Sequence, residues 1–183
     1  MFNTTETHEI NMVKQVIQST LKNALEKMPH DIKTLMDHAV VTGGISASFF
    51  HMEKQNDIDV YLKSKTAIDK LALLLSRPEV KEAVADVNSK YGLETLVEGK
   101  LVTARAITFK SGIQIITMNT IEDARKLFDF IHCMPFYDFS DGKYYISRAQ
   151  YDSIKAKHLV LNPTGVSPAP NRMTKYIERG WTL

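Results

Sequence analysis

The chain has 183 residues, of which 44% are hydrophobic and 24% charged, and its formal net charge is +2. This composition is typical of one globular domain with a substantial core, and it excludes a disordered or low-complexity chain. A charge so close to zero also gives no reason to expect binding to nucleic acid or membranes through bulk charge, although a local basic patch is compatible with it.

The first third of the chain predicts a helix, a strand, a short helix and a second strand. Apolar side chains recur at steps of three and four over residues 5–28, which indicates an amphipathic helix that Thr4 or Thr5 could cap. The segment 38–42 (HAVVT) predicts a short buried strand that stops at two glycines. The stretch ISASFFHME then predicts a short helix, and NDIDVYL a strand.

The rest of the chain mixes helices with strands. The predicted helices cover 66–76, 79–90, 120–128, 148–157 and 171–180, and the predicted strands are LVTARAITF (101–109), GIQIITM (112–118), FIHCMPFY and KYYIS. The turn Lys110-Ser111-Gly112 joins two of these strands into a β-hairpin. This order favours one α+β (mixed α/β) domain over 1–183, with a small mixed sheet and helices packed on its back. Within it, residues 163–183 form a Pro-rich connector and a C-terminal helix.

Targeting signals and disulfide bonds are not expected. No segment reaches the roughly 18 consecutive apolar residues of a membrane span, and MFNTTETHEI lacks the basic and apolar regions of a signal peptide. The single cysteine, Cys133, cannot form an intramolecular disulfide, which suits a reducing cytoplasm. Its neighbour His132 does not make a zinc site without a second pair of ligands at the right spacing.

Asp57 and Asp59 lie two positions apart in the predicted strand NDIDVYL. Side chains alternate between the faces of a strand, so the two acids share one face while Ile58 and Val60 point into the core. Two carboxylates about 7 Å apart on a partly buried face repel each other by about 1–3 kcal/mol. A bound Mg²⁺ removes that cost, because it takes one or two carboxylates and completes its shell with water and phosphates. An edge strand with solvated acids is the alternative.

Gly43 and Gly44 fall between the strand 38–42 and the short helix that follows. A side chain at this turn would block the close approach of a phosphate, and free backbone N–H groups at a helix start bind anions. Ser46 and Ser48 add hydroxyl donors nearby. A Gly-Gly pair alone is typical of many turns. The order strand, Gly-Gly, helix and Asp-x-Asp strand is more specific, and it predicts triphosphate donors opposite a magnesium site.

The stretch VVTGGISASFFHMEKQNDIDVYL resembles the signature of the DNA polymerase β-like nucleotidyltransferase superfamily. In that signature a hydrophobic residue, Gly and then Gly or Ser are followed, after a gap, by Asp-hydrophobic-Asp-hydrophobic. The run GIQIITMNTIEDARKLFDFIHCMPFYD and the C-terminal RMTKYIERGW are similar to members of that superfamily from phages and large DNA viruses. The resemblance implies a nucleotidyltransferase-like fold and, for a viral protein, a location in the host cytoplasm.

The resemblance also implies a reaction. A nucleoside monophosphate would pass from an NTP to an acceptor hydroxyl of a protein, an RNA end or a small molecule, with release of pyrophosphate. Two metal ions would clamp the attacking and leaving oxygens. It implies Mg²⁺ or Mn²⁺ on Asp57 and Asp59, and a triphosphate held by Gly43, Gly44 and Ser46 or Ser48.

One position departs from the pattern of that superfamily. Its active members carry a third carboxylate on a neighbouring strand, and the matching position in GIQIITM is Gln114. An amide cannot supply negative charge or accept a proton at neutral pH. Asp129, between two phenylalanines, is the candidate replacement, because a buried acid is costly unless it is paired. The alternative is that Asp129 only bonds to backbone donors or to Arg125.

The C-terminal helix carries a basic face. Arg172, Lys175 and Arg179 fall at steps of three and four, so they share one side of the helix with Tyr176. This face could hold a phosphate or a nucleic-acid backbone, with the tyrosine free to stack on a base. The alternative is a solvated basic helix end paired with surface acids. We expect Trp181 to anchor the C-terminus to the core.

Three functions are therefore compatible with the sequence. The first is an active nucleotidyltransferase. The second is a nucleotide-binding regulator or virion component that keeps the fold without turnover, which Gln114 favours. The third is an interaction protein whose acids are merely at the surface, and it predicts no nucleotide binding.

Overall fold

The computed structural model describes residues 1–55, 57–86 and 106–183. The helices are α1 (Thr4–Glu26), α2 (His30–Leu35), α3 (Ile45–Phe50), α4 (Lys65–Leu74), α5 (Pro78–Ala83), α6 (Ile121–Leu127), α7 (Arg148–Ala156) and α8 (Pro170–Glu178). The strands are β1 (Ala39–Val41), β2 (Ile58–Leu62), β3 (Val84–Asp86), β4 (Ala106–Phe109), β5 (Ile113–Ile116), β6 (Phe136–Asp138) and β7 (Lys143–Tyr145).

The strands form one seven-stranded sheet in the order β3-β4-β5-β2-β1-β6-β7. Strands β2 and β5 run parallel, and the other neighbouring pairs run antiparallel. The predicted mixed α/β fold is confirmed, including the hairpin that β4 and β5 form.

Strand β2 lies at the centre of the sheet and separates two environments. Its side chains alternate, so Ile58, Val60 and Leu62 are buried while Asp59 and Tyr61 face the other side. The buried side chains join one apolar cluster with residues of α1 and α4. Helices therefore cover one face of the sheet, and the face that carries Asp59 opens into a cleft.

Helix α1 begins with a cap that the sequence analysis did not identify. Asn3, and neither Thr4 nor Thr5, is the N-cap: its side chain accepts a hydrogen bond from Glu6 N at 2.9 Å, and the Glu6 carboxylate accepts one from Asn3 N at 2.8 Å. This reciprocal capping box satisfies two N–H groups of the first turn. The helix therefore starts at the Asn3 cap, and Thr4 and Thr5 lie within its first turn.

Two other predictions need correction. The segment FIHCMPFY is not one strand, because Ile131–Cys133 forms a 3-10 turn before β6. That turn presents the Cys133 carbonyl to Gly43 N at 3.0 Å, so it supports the glycine loop rather than the sheet. Helix α5 ends at Ala83 and is followed by β3, and α2 was not predicted.

Parts of two predicted elements lie outside the described residues. These are 87–90 of the predicted helix 79–90, and 101–105 of the predicted strand 101–109. The second range includes Arg105, which the sequence suggests as a further basic side chain for the phosphate site. Among the helices of the described ranges, none is both long and apolar enough to cross a membrane.

Candidate functional site

The open face of β2 forms the floor of a cleft with a volume of about 1040 Å³. One wall is the glycine loop that links β1 to α3, and another is α8. The cleft lining includes Gly43, Gly44, Ser48, Asp57, Asp59, Gln114, Asp129, Arg172, Lys175 and Arg179. Residues far apart in the sequence thus meet in one place, as the sequence analysis expected for the acids, the glycines and the basic helix.

The two acids of the Asp-x-Asp motif differ in their surroundings. Asp57 is exposed just before β2, whereas Asp59 is half-buried within it. Burial and, to a smaller extent, the charge of Asp57 raise the pKa of Asp59, the Arg172 guanidinium partly offsets both effects, and the resulting pKa is about 6. The folded chain therefore holds a carboxylate whose negative charge is unfavourable, and a bound cation would relieve that cost.

Gly43 lies directly beside this carboxylate. Its φ is +90°, a left-handed conformation that favours glycine, and a Cβ atom added there would stand 3.2 Å from Asp59 Oδ2. Its N–H already donates to the Cys133 carbonyl. Gly43 thus provides space next to Asp59 rather than the free N–H donor that we expected.

The two serines after the glycines lie in different places. Ser48 lines the cleft. Ser46 is 0% exposed in the core near Tyr144, where burial raises the pKa of the tyrosine and the Ser46 hydroxyl partly offsets the effect. A ligand in the cleft can reach Ser48, but Ser46 would first have to leave its buried position.

Asp129 and Arg172 form an ion pair at the edge of the cleft. Arg172 Nε lies 2.5 Å from Asp129 Oδ2, and Phe130 N donates to Asp129 Oδ1 at 2.9 Å. Because Asp129 is only 6% exposed and both its oxygens are engaged, it orients Arg172. Arg172 Nη2 lies 3.5 Å from the Tyr176 hydroxyl and 3.6 Å from Cys133 Sγ.

Lys175 of α8 and Arg179, the residue that follows the helix, also line the cleft. Arg179 pairs with Glu53, which accepts a second bond from Lys157 Nζ at 2.9 Å. These two partners lower the pKa of Glu53 against the opposing effect of burial. Lys175 is exposed and makes no ion pair within the described ranges. Among the residues that the structure describes, Lys175 therefore has no acidic partner, whereas Arg172 and Arg179 each have one.

Gln114 lies next to Asp59 in the parallel pairing of β5 with β2. Its Nε2 donates to Thr108 Oγ1 at 2.9 Å on the neighbouring strand β4. The position opposite the Asp-x-Asp strand therefore carries an amide and not a third acid.

Several residues that line the cleft were not predicted. Tyr61 follows Asp59 on the same face of β2, so strand alternation alone could have found it. Glu53, Leu127, Phe128 and Val166 give no signal of this kind in the sequence. Tyr176 is not free to stack on a ligand: it is buried against Phe130, His132 and Trp181, and Trp181 is buried as expected.

A divalent cation fits the donors present. Across residues 1–55, 57–86 and 106–183, no group of three or more His, Cys, Asp or Glu side chains could hold a metal. Two carboxylates, one of them with a raised pKa, suit an ion that takes its other ligands from water and phosphates, as Mg²⁺ does. The side chains of these described ranges do not form a metal cage made only of protein ligands.

Comparison with known proteins gives one family and several structures. A family model described as "Gad2: Gabija anti-defense 2 family protein" matches residues 11–157. No curated protein matches the chain. One similar solved structure is the Thermotoga maritima CCA-adding enzyme complexed with tRNA, with 18% sequence identity and a TM-score of 0.41 over 78% of this chain and 35% of that chain. Another is a CCA-adding enzyme with CTP, with 17% sequence identity and a TM-score of 0.40 over 76% of this chain and 34% of that chain. The chain spans about a third of the length of these enzymes.

Proposed function

The chain belongs to the Gabija anti-defense 2 family, and we propose that it counters the defence called Gabija as a metal-dependent nucleotidyltransferase. The observation that carries the proposal is the contact between the glycine loop and the acid of β2, where a Cβ at Gly43 would stand 3.2 Å from Asp59 Oδ2. A side chain at this position would crowd that carboxylate and would also have to adopt the left-handed φ of +90°. A phosphate bound to the loop would therefore lie next to a cation bound to the acid.

In this proposal, one set of residues binds the metal ion and another set binds the triphosphate. Asp57 and Asp59 would hold Mg²⁺ or Mn²⁺, which when bound neutralises phosphate charge and polarises the reacting phosphoryl group. Ser48 and the backbone around Gly44 would contact the triphosphate. Lys175 could bind a phosphate without breaking an ion pair. Arg172 and Arg179 would bind a phosphate while paired with Asp129 and Glu53, respectively.

In the proposed reaction, the acceptor is a hydroxyl of a protein, an RNA end or a small molecule. The hydroxyl oxygen forms a bond to the α-phosphorus of the NTP. The bond between the α-phosphorus and the oxygen that bridges to the β-phosphorus breaks, and pyrophosphate leaves with the electron pair. The hydroxyl proton passes to water. Asp129 can accept it only if its ion pair with Arg172 opens.

A second candidate function follows from Gln114. Because an amide stands beside Asp59 where a third acid was expected, the cleft would bind NTP and metal without turnover. Such a protein would oppose the defence by holding a nucleotide or by contacting a partner. Both functions place the protein in the cytoplasm of the cell that mounts the defence, and both suit the phage or viral origin expected from the sequence.

The test is transfer of label from each of four α-³²P-labelled NTPs, with Mg²⁺ or Mn²⁺, into protein or RNA of a lysate that contains the Gabija proteins. Transfer of the nucleoside monophosphate is supported if the wild type forms a labelled product and releases unlabelled pyrophosphate, and if Asp59→Asn does neither. Binding of NTP without pyrophosphate release, with release gained in Gln114→Glu, supports the second function. Absence of both binding and transfer contradicts both.

A further inference from the structure

The cleft changes character along β2. Asp57 and Asp59 stand at the end near the glycine loop. Two residues beyond Asp59, about 7 Å along the strand, Tyr61 faces the same cleft. The Tyr61 ring meets the Phe128 ring edge to face, with centroids 5.9 Å apart. Along β2 the cleft thus passes from the two acids to this aromatic pair, and the ion pair of Asp129 with Arg172 lies beside it.

Two exposed aliphatic side chains extend the aromatic pair. Leu127 is 46% exposed and Val166 is 50% exposed, and both line the cleft. Large apolar side chains left half uncovered inside a cleft favour contact with the apolar face of a ligand. We name Tyr61, Leu127, Phe128 and Val166 the apolar end.

The apolar end is held rigidly by the connector before α8. Asn162 Nδ2 donates to the carbonyls of Phe128 at 2.9 Å and Arg125 at 3.2 Å, and Gly165 N donates to Asn162 O at 2.9 Å. A Cβ added at Gly165 would stand 1.9 Å from the Phe128 carbonyl oxygen. The backbone next to Val166 is thus packed against Phe128, so the surface exists before any ligand binds.

We propose that the apolar end binds the nucleoside of the NTP donor, with the base packed against Tyr61, Leu127, Phe128 and Val166. The inference rests on the proposed function, because it takes the end near Asp57 and Asp59 as the site of the triphosphate. A nucleotide carries charged phosphates at one end and a flat, weakly polar base at the other. The phosphates would lie near Asp57 and Asp59, and the base would lie against the apolar end. Base contact with aromatic and aliphatic side chains contributes binding that does not depend on a metal.

The test compares NTP with inorganic tripolyphosphate, which lacks the nucleoside. Titration calorimetry in Mg²⁺ would measure both affinities for the wild type and for the double variant Leu127→Ser/Val166→Ser. Both side chains are half exposed, so the variant should fold. The control is Leu73→Ser/Val16→Ser, which replaces exposed side chains of α4 and α1 away from the cleft.

The expected result is that the wild type binds NTP more tightly than tripolyphosphate. The double variant should lose about tenfold in NTP affinity while its tripolyphosphate affinity and the control variant stay unchanged. Equal wild-type affinity for the two ligands, or an unchanged NTP affinity in the variant, overturns the nucleoside site alone. The nucleoside site is also overturned if Leu127→Ser/Val166→Ser keeps the NTP affinity of the wild type and loses only the transfer to the acceptor. A wild type that binds neither ligand overturns the proposed function as well.

Discussion

Gly43 and Asp59 are in such close contact that a Cβ atom on residue 43 would stand 3.2 Å from the Asp59 carboxylate. Gly43 also has a φ of +90°, which other residues adopt only at a cost of about 1–2 kcal/mol. Gly43→Ala should therefore lower the free energy of unfolding by about that amount, and it should reduce Mg²⁺–NTP affinity at least tenfold because the loop must move away from the acid. Chemical denaturation and calorimetry measure the two effects.

The neighbouring glycine provides the control. Gly44 has a φ of −71°, and a Cβ there would meet no atom within 4 Å. Gly44→Ala should leave the free energy of unfolding of the protein unchanged. If both variants lose the same stability, the close contact of Gly43 with Asp59 does not constrain the loop.

The raised pKa of Asp59 predicts how stability depends on pH in the absence of metal. Its ordinary pKa is 3.8, and in the folded protein it is about 6. Between these values the folded protein binds a proton that the unfolded chain lacks, so the free energy of unfolding falls as pH rises from about 4 to 6. The loss is about 3 kcal/mol in total. Asp59→Asn should remove this slope and make the metal-free protein more stable than wild type at pH 7.5.

Urea denaturation in EDTA at pH 4.5 and pH 7.5 measures this effect. Asp69→Asn is the control, since Asp69 is an exposed acid of α4 paired with Lys65 at 2.8 Å. It should behave as wild type. An identical pH slope in wild type and Asp59→Asn would show that Asp59 carries no buried charge in the folded protein.

Arg172 should matter for stability as well as for ligand binding. Removing it leaves the buried Asp129 carboxylate without its ion-pair partner, and Arg172→Leu should cost about 2–3 kcal/mol. Lys175→Leu should change stability by less than about 0.5 kcal/mol, because Lys175 is exposed. Both variants should weaken NTP binding. Comparing urea midpoints with NTP affinities separates the roles, and equal stability of the two variants would mean that the pair with Asp129 contributes nothing.

Much of this arrangement follows from rules that act over a few residues. Strand alternation predicted Asp57 and Asp59 on one face, and helix spacing predicted Arg172, Lys175 and Arg179 on another. All five line the cleft, although Asp57 lies just before β2 and Arg179 just after α8. The register that places Gln114 beside Asp59 agrees with the position at which the sequence lacks an acid. Each of these predictions needed only local periodicity or a known motif.

The features that escaped prediction depend on contacts between distant segments. The N–H of Gly43 is taken by Cys133, ninety residues later in the chain, and the pairing of Asp129 with Arg172 needs the connector folded back on Phe128. Ser46 and Ser48 look equivalent in the sequence, and only the packing of α3 decides which of them reaches the cleft. No local pattern encodes these choices.

The most direct test of the central claim is thermal unfolding with each of the four NTPs, in Mg²⁺, Mn²⁺ or EDTA, for wild type and Asp57→Asn. Asp57 is exposed, so the variant should fold normally, and Asp69→Asn serves as the control. Ligand at 100 times its dissociation constant should add about 2.7 kcal/mol, or a few degrees in Tm. The account predicts a rise with metal and at least one NTP that disappears in EDTA and in Asp57→Asn. No rise with any NTP, or a rise that persists in Asp57→Asn, would contradict it.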